Sequence, residues 1–231
     1  MIPQIKLRRR GWKYKLDKTK KQALNQDMWA ERQKPSDKIL ILACGALAKE
    51  ISALIRLNGW SHLKTRYLPA ILHNTPEKIT EQLRMILQSS QTKFSKIFIG
   101  YADCGTGGKI DSLLDEFDVQ RLPGAHCYEF FTGKQTFAEI MEEEIGSYFL
   151  TDFLVKAFEK LVWQGMEIDR HPELLPIYFK HYKKLVYLAQ SENPELQTQA
   201  YEIAVRLGLV YEYRFTGYSE LEHSIAALAA T

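Results

Sequence analysis

The sequence lacks any apolar run that approaches the roughly 18 residues needed to cross a bilayer. Basic residues stand near the amino terminus with no apolar segment behind them, so the pattern of a secretory leader is missing. The 231 residues include 3 cysteines and no CxxC pair, which excludes the dense disulfide framework of small secreted proteins. We therefore expect a cytoplasmic protein with no membrane span, whose thiols are reduced or bound to a ligand.

Charge is unevenly spread along the chain. Residues 1–38 carry 12 Lys and Arg against 4 Asp and Glu, whereas the remainder carries 19 against 24. The basic stretch has few aromatic residues and no nucleic-acid recognition motif, so its composition favours a solvated extension or a partner-docking tail over a nucleic-acid-binding arm. We predict a basic extension over residues 1–36 and a single domain over 37–231. The sequence leaves the oligomeric state open.

Short apolar runs alternate with helical patterns in the first part of the domain. Strands are predicted at 38–43, 63–68 and 97–99, each followed by turn residues and a helix. This order is typical of an α/β fold, a mostly parallel, Rossmann-like sheet with flanking helices. From 149 to about 207 apolar residues recur at helical spacing, which predicts a helical carboxyl-terminal part, and 209–215 has the composition of a last strand.

A glycine-rich turn joins the third predicted strand to its helix. The backbone amides of a helix amino terminus bind anions, and glycines let a ligand approach the backbone closely. We therefore assign anion or cofactor binding to Gly105, Thr106, Gly107, Gly108 and Lys109. The spacing departs from both the P-loop and the dinucleotide fingerprint, so it predicts a small anionic molecule and no particular nucleotide.

Each cysteine lies where a predicted strand ends or just beyond it. Cys44 ends the first strand and Cys104 follows the third. Residues 126–129, which include Cys127, are predicted as the end of a fourth strand or the loop beside it, and His73 and His126 lie in the same kind of position. Carboxyl ends of parallel strands converge at one edge. Three thiolates and an imidazole suit zinc, and three thiolates with an open position suit an iron–sulfur cluster or catalytic metal. Alternatively, Cys44 or Cys127 is a small core residue.

Cys104 has a second interpretation, as the nucleophile of a metal-free enzyme. A helix amino terminus stabilises a thiolate, and His73 or His126 would serve as base or acid. Asp103 would orient a histidine or contact the metal, although an aspartate at this position also forms turns.

Several segments together resemble one family. They are Ala43-Cys-Gly45, Leu72-His-Asn-Thr-Pro76, Gly100-Tyr-Ala-Asp-Cys-Gly-Thr-Gly-Gly108, His126-Cys-Tyr-Glu129, Phe149-Leu-Thr-Asp-Phe153, His171-Pro-Glu-Leu174 and Tyr187-Leu-Ala-Gln190. The resemblance, over about 39–221, is to the uncharacterised domain-of-unknown-function family numbered 1638, found in bacteria and archaea. It implies that the cysteine motifs form a shared site but supplies no reaction.

The leading hypothesis from the sequence is a metal- or iron–sulfur-binding protein with a three-cysteine site, acting as a transferase or redox enzyme on a small anionic substrate. The alternatives are the metal-free enzyme with Cys104 as nucleophile and a non-catalytic binding or scaffold protein.

Overall fold

The computed structural model of the protein describes residues 36–231. Apart from Ser36, the basic extension predicted for residues 1–36 lies outside the described residues. Within 36–231, no helix combines the length and apolar character that crossing a membrane requires.

A parallel sheet of four strands forms the first part of the fold. In chain order its strands are β1 (Ser36–Cys44), β2 (Leu63–Leu68), β3 (Phe94–Gly100) and β4 (Gln120–Arg121). Their order across the sheet is β2-β1-β3-β4, and every neighbouring pair is parallel. Parallel pairing needs a crossover between successive strands, and helices supply it here, as the alternating pattern predicted.

Strand β1 is buried on both faces, which explains its continuous apolar sequence. Ile39, Ile41 and Ala43 pack into one core cluster, and Leu40, Leu42 and Cys44 pack into the cluster on the opposite face. Helices α1 (Ala48–Leu57) and α9 (Ser219–Ala229) cover the first face. Helices α2 (Glu77–Ser90) and α3 (Lys109–Phe117) cover the second. The α/β class predicted from the sequence is confirmed.

A second parallel sheet lies in the carboxyl-terminal part. It consists of β5 (Ser147–Thr151), β6 (Lys184–Ala189) and β7 (Val210–Phe215), in the order β5-β6-β7. The remaining helices are α4 (Glu129–Thr132), α5 (Lys134–Glu143), α6 (Asp152–Phe158), α7 (Leu175–Phe179) and α8 (Pro194–Leu207). A π-helical turn over Glu159–Trp163 follows α6, and a 3₁₀ turn over Pro172–Leu174 precedes α7.

The part of the chain predicted as helical, about 149–207, thus also contains two strands. The prediction of a helix over β6 was wrong because this strand is buried on both faces. Leu185, Tyr187 and Ala189 pack into one core cluster, and Val186 and Leu188 pack into another. A short, continuously apolar run has no period that separates a buried strand from a buried helix. The last predicted strand is confirmed as β7, which pairs with β6. A single domain over 37–231 stays a prediction.

The buried side chain of Asp152, directly after β5, links the end of β5 to the end of β6 by hydrogen bonds. Asp152 is 2% exposed, and its Oδ1 accepts hydrogen bonds from the Tyr187 hydroxyl at 2.7 Å and from the Gln190 amide at 3.0 Å. The hydroxyl of Ser191 donates to Oδ2. The charge of Asp152 is therefore compensated by donors from the neighbouring strand and the residues after it.

Candidate metal centre

Three side chains converge at the carboxyl edge of the first sheet. The ligand atoms of His73, Cys104 and Cys127 all lie within 4.8 Å of one another. Each residue follows a different strand, because His73 comes after β2, Cys104 after β3 and Cys127 after β4. Two ligands of one tetrahedral zinc ion lie about 3.6 to 3.8 Å apart, given Zn–S near 2.3 Å and Zn–N near 2.0 Å. Inward shifts of about 1 Å would bring the three atoms to that spacing.

The imidazole of His73 is held by the short 3₁₀ turn Ala70–Asn74 that carries it. Its Nδ1–H donates to the carbonyl of Ala70 at 3.0 Å, and the same nitrogen lies 3.9 Å from Sγ of Cys44. The ring also stacks on Tyr101, with centroids 6.2 Å apart. When Nδ1 carries the proton, Nε2 keeps its lone pair. A backbone carbonyl that orients a histidine in this way is common behind metal-ligating histidines.

Cys104 stands in a strained loop that is tied to the loop of Cys127. Its backbone has φ of 50°, in the left-handed region that non-glycine residues rarely adopt. Its amide donates to the carbonyl of Ala125 at 3.3 Å, two residues before Cys127. The two cysteine-bearing loops therefore hold each other in place.

The carboxylate of Asp103 fills the glycine-rich turn from within. It accepts hydrogen bonds from the amides of Gly108 at 2.8 Å and Gly107 at 3.2 Å, and from the hydroxyl of Thr106 at 2.8 Å. Burial raises the pKa of Asp103, but these hydrogen bonds, led by that from Gly108, outweigh it and lower the pKa below its ordinary value. Donors that the sequence assigns to an external anion thus bind a side chain of the same loop.

This arrangement also bears on the roles predicted for Asp103. Both of its oxygens bind donors of the turn, so its observed contacts organise the loop rather than orient a histidine. The loop in turn sets the position of the adjacent Cys104.

The loop of Cys127 is clamped by two side chains. Oε1 of Glu129 accepts hydrogen bonds from the amides of Ala125 at 2.8 Å and His126 at 3.1 Å. The guanidinium of Arg121 donates to the carbonyl of Gly124 at 2.9 Å. It also forms an ion pair with the carboxylate of Asp111 in α3. These contacts fix the backbone immediately before Cys127.

The other two candidate ligands lie outside the group of three. Cys44 is 1% exposed, packs in the core and accepts a hydrogen bond from the Ala46 amide at 3.3 Å. It lies behind the imidazole, on the side of Nδ1. The ring of His126 packs against Tyr128 and Phe137, with centroids 6.4 and 5.9 Å away. The structure brings together three of the five residues, places Cys44 next to them and directs His126 into an aromatic cluster.

The three grouped side chains strongly influence one another's protonation. A hydrogen bond from Cys127, followed by one from His73, outweighs burial and lowers the pKa of Cys104 to about 5. Burial alone would lower the pKa of His73, but its hydrogen bonds to Cys104 and Cys44 and their negative charge raise it to about 11. The hydrogen bond to Cys104, together with burial, raises the pKa of Cys127. Without a metal, the group is a Cys104 thiolate paired with a His73 imidazolium.

Tyr101 is a member of the site to which sequence reasoning gave no role. The side chain is fully buried, and its hydroxyl has no hydrogen-bond partner among the described residues. Burial, followed by the nearby negative charge of Cys44 and Cys104, raises its pKa, so it stays a neutral donor. The sequence feature that could have identified Tyr101 is its position directly after β3, at the sheet edge where the cysteines were expected.

A cavity of about 180 Å³ adjoins the centre. His73 and Cys127 form part of its wall, and strand β5 and the π-helical turn form another part, including Tyr148, Thr151 and Leu161. This cavity could not be predicted from the sequence, because a helix was predicted to begin where β5 lies.

Comparison with known proteins identifies the family of the chain. No curated protein and no solved structure matches the chain significantly. The model of the family described as "Protein of unknown function (DUF1638)" matches residues 67–225. His73, Cys104 and Cys127 fall inside the matched segment, whereas Cys44 precedes it. The matched segment contains every motif quoted above except Ala43-Cys-Gly45. Because the match covers more than half of the chain, the protein belongs to the DUF1638 family.

Proposed function

We propose that the protein binds one thiophilic divalent metal ion, most readily Zn²⁺, through His73, Cys104 and Cys127. The observation that carries the proposal is the convergence of one imidazole and two thiols within 4.8 Å, from three separate loops. Imidazole and thiolate are the ligands that zinc prefers. Thiolates also suit other soft metals, so the proposal concerns a mononuclear soft-metal site, with zinc as its first candidate.

The grouping favours a mononuclear ion over an iron–sulfur cluster. An iron–sulfur cluster distributes its protein ligands over several irons, so the ligand atoms lie farther apart than those around a single ion. Here the ligand atoms of His73, Cys104 and Cys127 lie close together, and the remaining cysteine, Cys44, is a core residue behind the imidazole. A mononuclear ion would leave a fourth position, as catalytic zinc sites do.

The charge balance suits a partly buried site. Two thiolates and one neutral imidazole neutralise a divalent cation, so the loaded centre carries no net charge. A bound zinc ion would polarise or deprotonate a molecule in the fourth position, and it has no redox chemistry of its own. The centre therefore supports group transfer to or from a small molecule better than electron transfer.

Metal analysis tests the proposal. Protein purified under reducing conditions without chelator should hold close to one equivalent of metal, and Co²⁺ should replace it with thiolate charge-transfer absorption. Cys104→Ser and Cys127→Ser should each weaken this absorption and the retention of metal. Cys44→Ala is the matched control, because its thiol lies outside the group, and it should keep the metal.

The opposite pattern would contradict the proposal. A folded protein that takes up neither Zn²⁺ nor Co²⁺ refutes it. Loss of metal in Cys44→Ala with retention in Cys104→Ser would show that the assigned ligands are wrong.

A metal-free enzyme with Cys104 as nucleophile is the second candidate. It is favoured by the thiolate character of Cys104, which its hydrogen bonds with Cys127 and His73 produce. The two candidates differ in the effect of metal. Zn²⁺ should protect Cys104 from alkylation if it binds there, whereas the metal-free enzyme should react equally with and without Zn²⁺.

A further inference from the structure

The cavity lies between the carboxyl edges of the two sheets. On the side of the first sheet, the turns after β1 and β2 and the loop of Cys127 line the cavity. On the side of the second sheet, the end of β5 and the π-helical turn line it. In open parallel sheets, ligands bind beyond the carboxyl ends of the strands. This cavity therefore occupies the expected place for a substrate of the metal centre.

The wall of the cavity is apolar in its chemistry. Within the described part of the chain, none of the 15 residues that line it is lysine, arginine, aspartate or glutamate. Its polar side chains include Asn74, which donates to the carbonyls of Leu161 and Gly165 at 3.2 Å each. Another is Thr151, whose hydroxyl accepts from the Leu154 amide at 3.3 Å. These groups already have partners, and a charged ligand would find no compensating charge in the wall.

The volume limits the size of the ligand. An engineered apolar cavity of about 150 Å³ binds benzene, which has six non-hydrogen atoms. In proportion, a cavity of about 180 Å³ accommodates about seven. This estimate excludes nucleotides and other large cofactors from the enclosed space.

We propose that the cavity binds a small uncharged thiol with an apolar body, whose sulfur takes the fourth position on the metal. The proposal rests on the proposed function and names its substrate class. His73 and Cys127 belong both to the metal group and to the wall, so a bound metal would lie next to the cavity. A soft sulfur matches the two thiolates already present. On binding, the S–H bond would break, a metal–sulfur bond would form and the proton would pass to solvent. The added negative charge would lie on the metal-bound sulfur, and the part of the ligand inside the cavity would stay uncharged.

The test uses Co²⁺-loaded full-length protein titrated with linear alkanethiols from ethanethiol to decanethiol. The added thiolate should increase the charge-transfer absorption, and proton release should accompany it. The affinity of the protein for the thiol should rise about fourfold for each added methylene group, because each buried CH₂ contributes about 0.8 kcal/mol. The rise should stop near hexanethiol, whose seven non-hydrogen atoms fill the cavity. The charged 3-mercaptopropionate, with the same sulfur, should bind at least tenfold more weakly than butanethiol.

A matched pair of variants locates the site. Leu161→Phe should fill part of the cavity and lower the affinity for hexanethiol more than that for ethanethiol. Leu57→Phe makes the same change at a side chain that is 74% exposed, and it should bind both thiols as the unmodified protein does. The chain-length series tests the proposal even if Leu161→Phe fails to fold.

The outcomes separate the two proposals. Protein that binds Co²⁺ but shows no spectral change with any thiol refutes the thiol proposal and leaves the metal site intact. Equal affinity for ethanethiol and hexanethiol, or preference for 3-mercaptopropionate, also refutes it. Protein that binds no Co²⁺ refutes both proposals.

Discussion

Alkylation of Cys104 in the metal-free protein is the most direct measure of the site's electrostatics. With its pKa near 5, Cys104 should be fully ionised from about pH 6 upward. Its reaction rate with iodoacetamide should therefore be nearly flat between pH 6 and 8. An ordinary cysteine, with a pKa of about 8.5, should react about tenfold faster for each pH unit over the same range.

The absolute rate follows from two opposing effects. At pH 6 the thiolate fraction of Cys104 exceeds that of an ordinary cysteine by roughly 300-fold. A pKa lower by about 3.5 units reduces the intrinsic nucleophilicity by roughly 25- to 50-fold, for a Brønsted coefficient of about 0.4 to 0.5. For equal access of the reagent, Cys104 should thus react about five to ten times faster than an unstructured cysteine peptide at pH 6, and more slowly than that peptide at pH 8.

The assay is mass spectrometry of peptides after timed alkylation of reduced, chelator-treated protein. The pH range over which the alkylation rate is constant should begin at a higher pH in Cys127→Ala, because this variant lacks the hydrogen bond that lowers the pKa of Cys104 most. The same shift should occur in His73→Ala. Replacement of Cys44 is the control, because that thiol contributes no hydrogen bond to Cys104. A rate for Cys104 that climbs tenfold per pH unit from 6 to 8 would refute the reasoning.

Three further predictions concern side chains around the site. Asp103→Ala should lower the free energy of unfolding by about 2 kcal/mol at pH 7 in urea, because three donors of the glycine turn lose their acceptor. Since folding lowers the pKa of Asp103, its contribution should be complete above pH 5 and decline as the pH falls below about 4. Glu129→Ala should weaken metal binding about 10- to 100-fold in a competition titration, because the loop of Cys127 loses its clamp. Asp152→Ala should cost about 3 kcal/mol or more by the same urea assay, without changing the metal stoichiometry; loss of metal would show that this carboxylate supports the centre.

Three of the four strands of the first sheet were predictable from the sequence because β1, β2 and β3 each carry a distinct signal, whereas β4, only two residues long, carries none. Strands β1 and β3 are short apolar runs bounded by turn residues, and amphipathic helices follow them. Strand β6 carries no such signal, since its apolar run lies next to helical segments and has no polar residue that marks a period. What makes it a strand is pairing with β5 and β7, a contact between segments far apart in sequence.

The metal group was predictable only in part. Placement after parallel strands was enough to bring His73, Cys104 and Cys127 to one edge. It could not show where each side chain points. Cys44 is still inside its strand, and the alternation along β1 directs it into the same core cluster as Leu40.

Two independent features of the structure bear on the anionic substrate that the sequence suggested. In the glycine turn, Asp103 already accepts the hydrogen bonds that would bind an anion, so an external anion would have to displace a carboxylate held by three donors. In the cavity, the wall offers no cationic side chain among the described residues, so an anion would be buried without a counter-charge. Positive charge next to the cavity would come from a bound metal, and the thiolates of Cys104 and Cys127 would neutralise it. Discrimination against ligands with a negatively charged body should therefore persist in the metal-loaded protein, whereas anion binding by residues 105–109 stays a prediction.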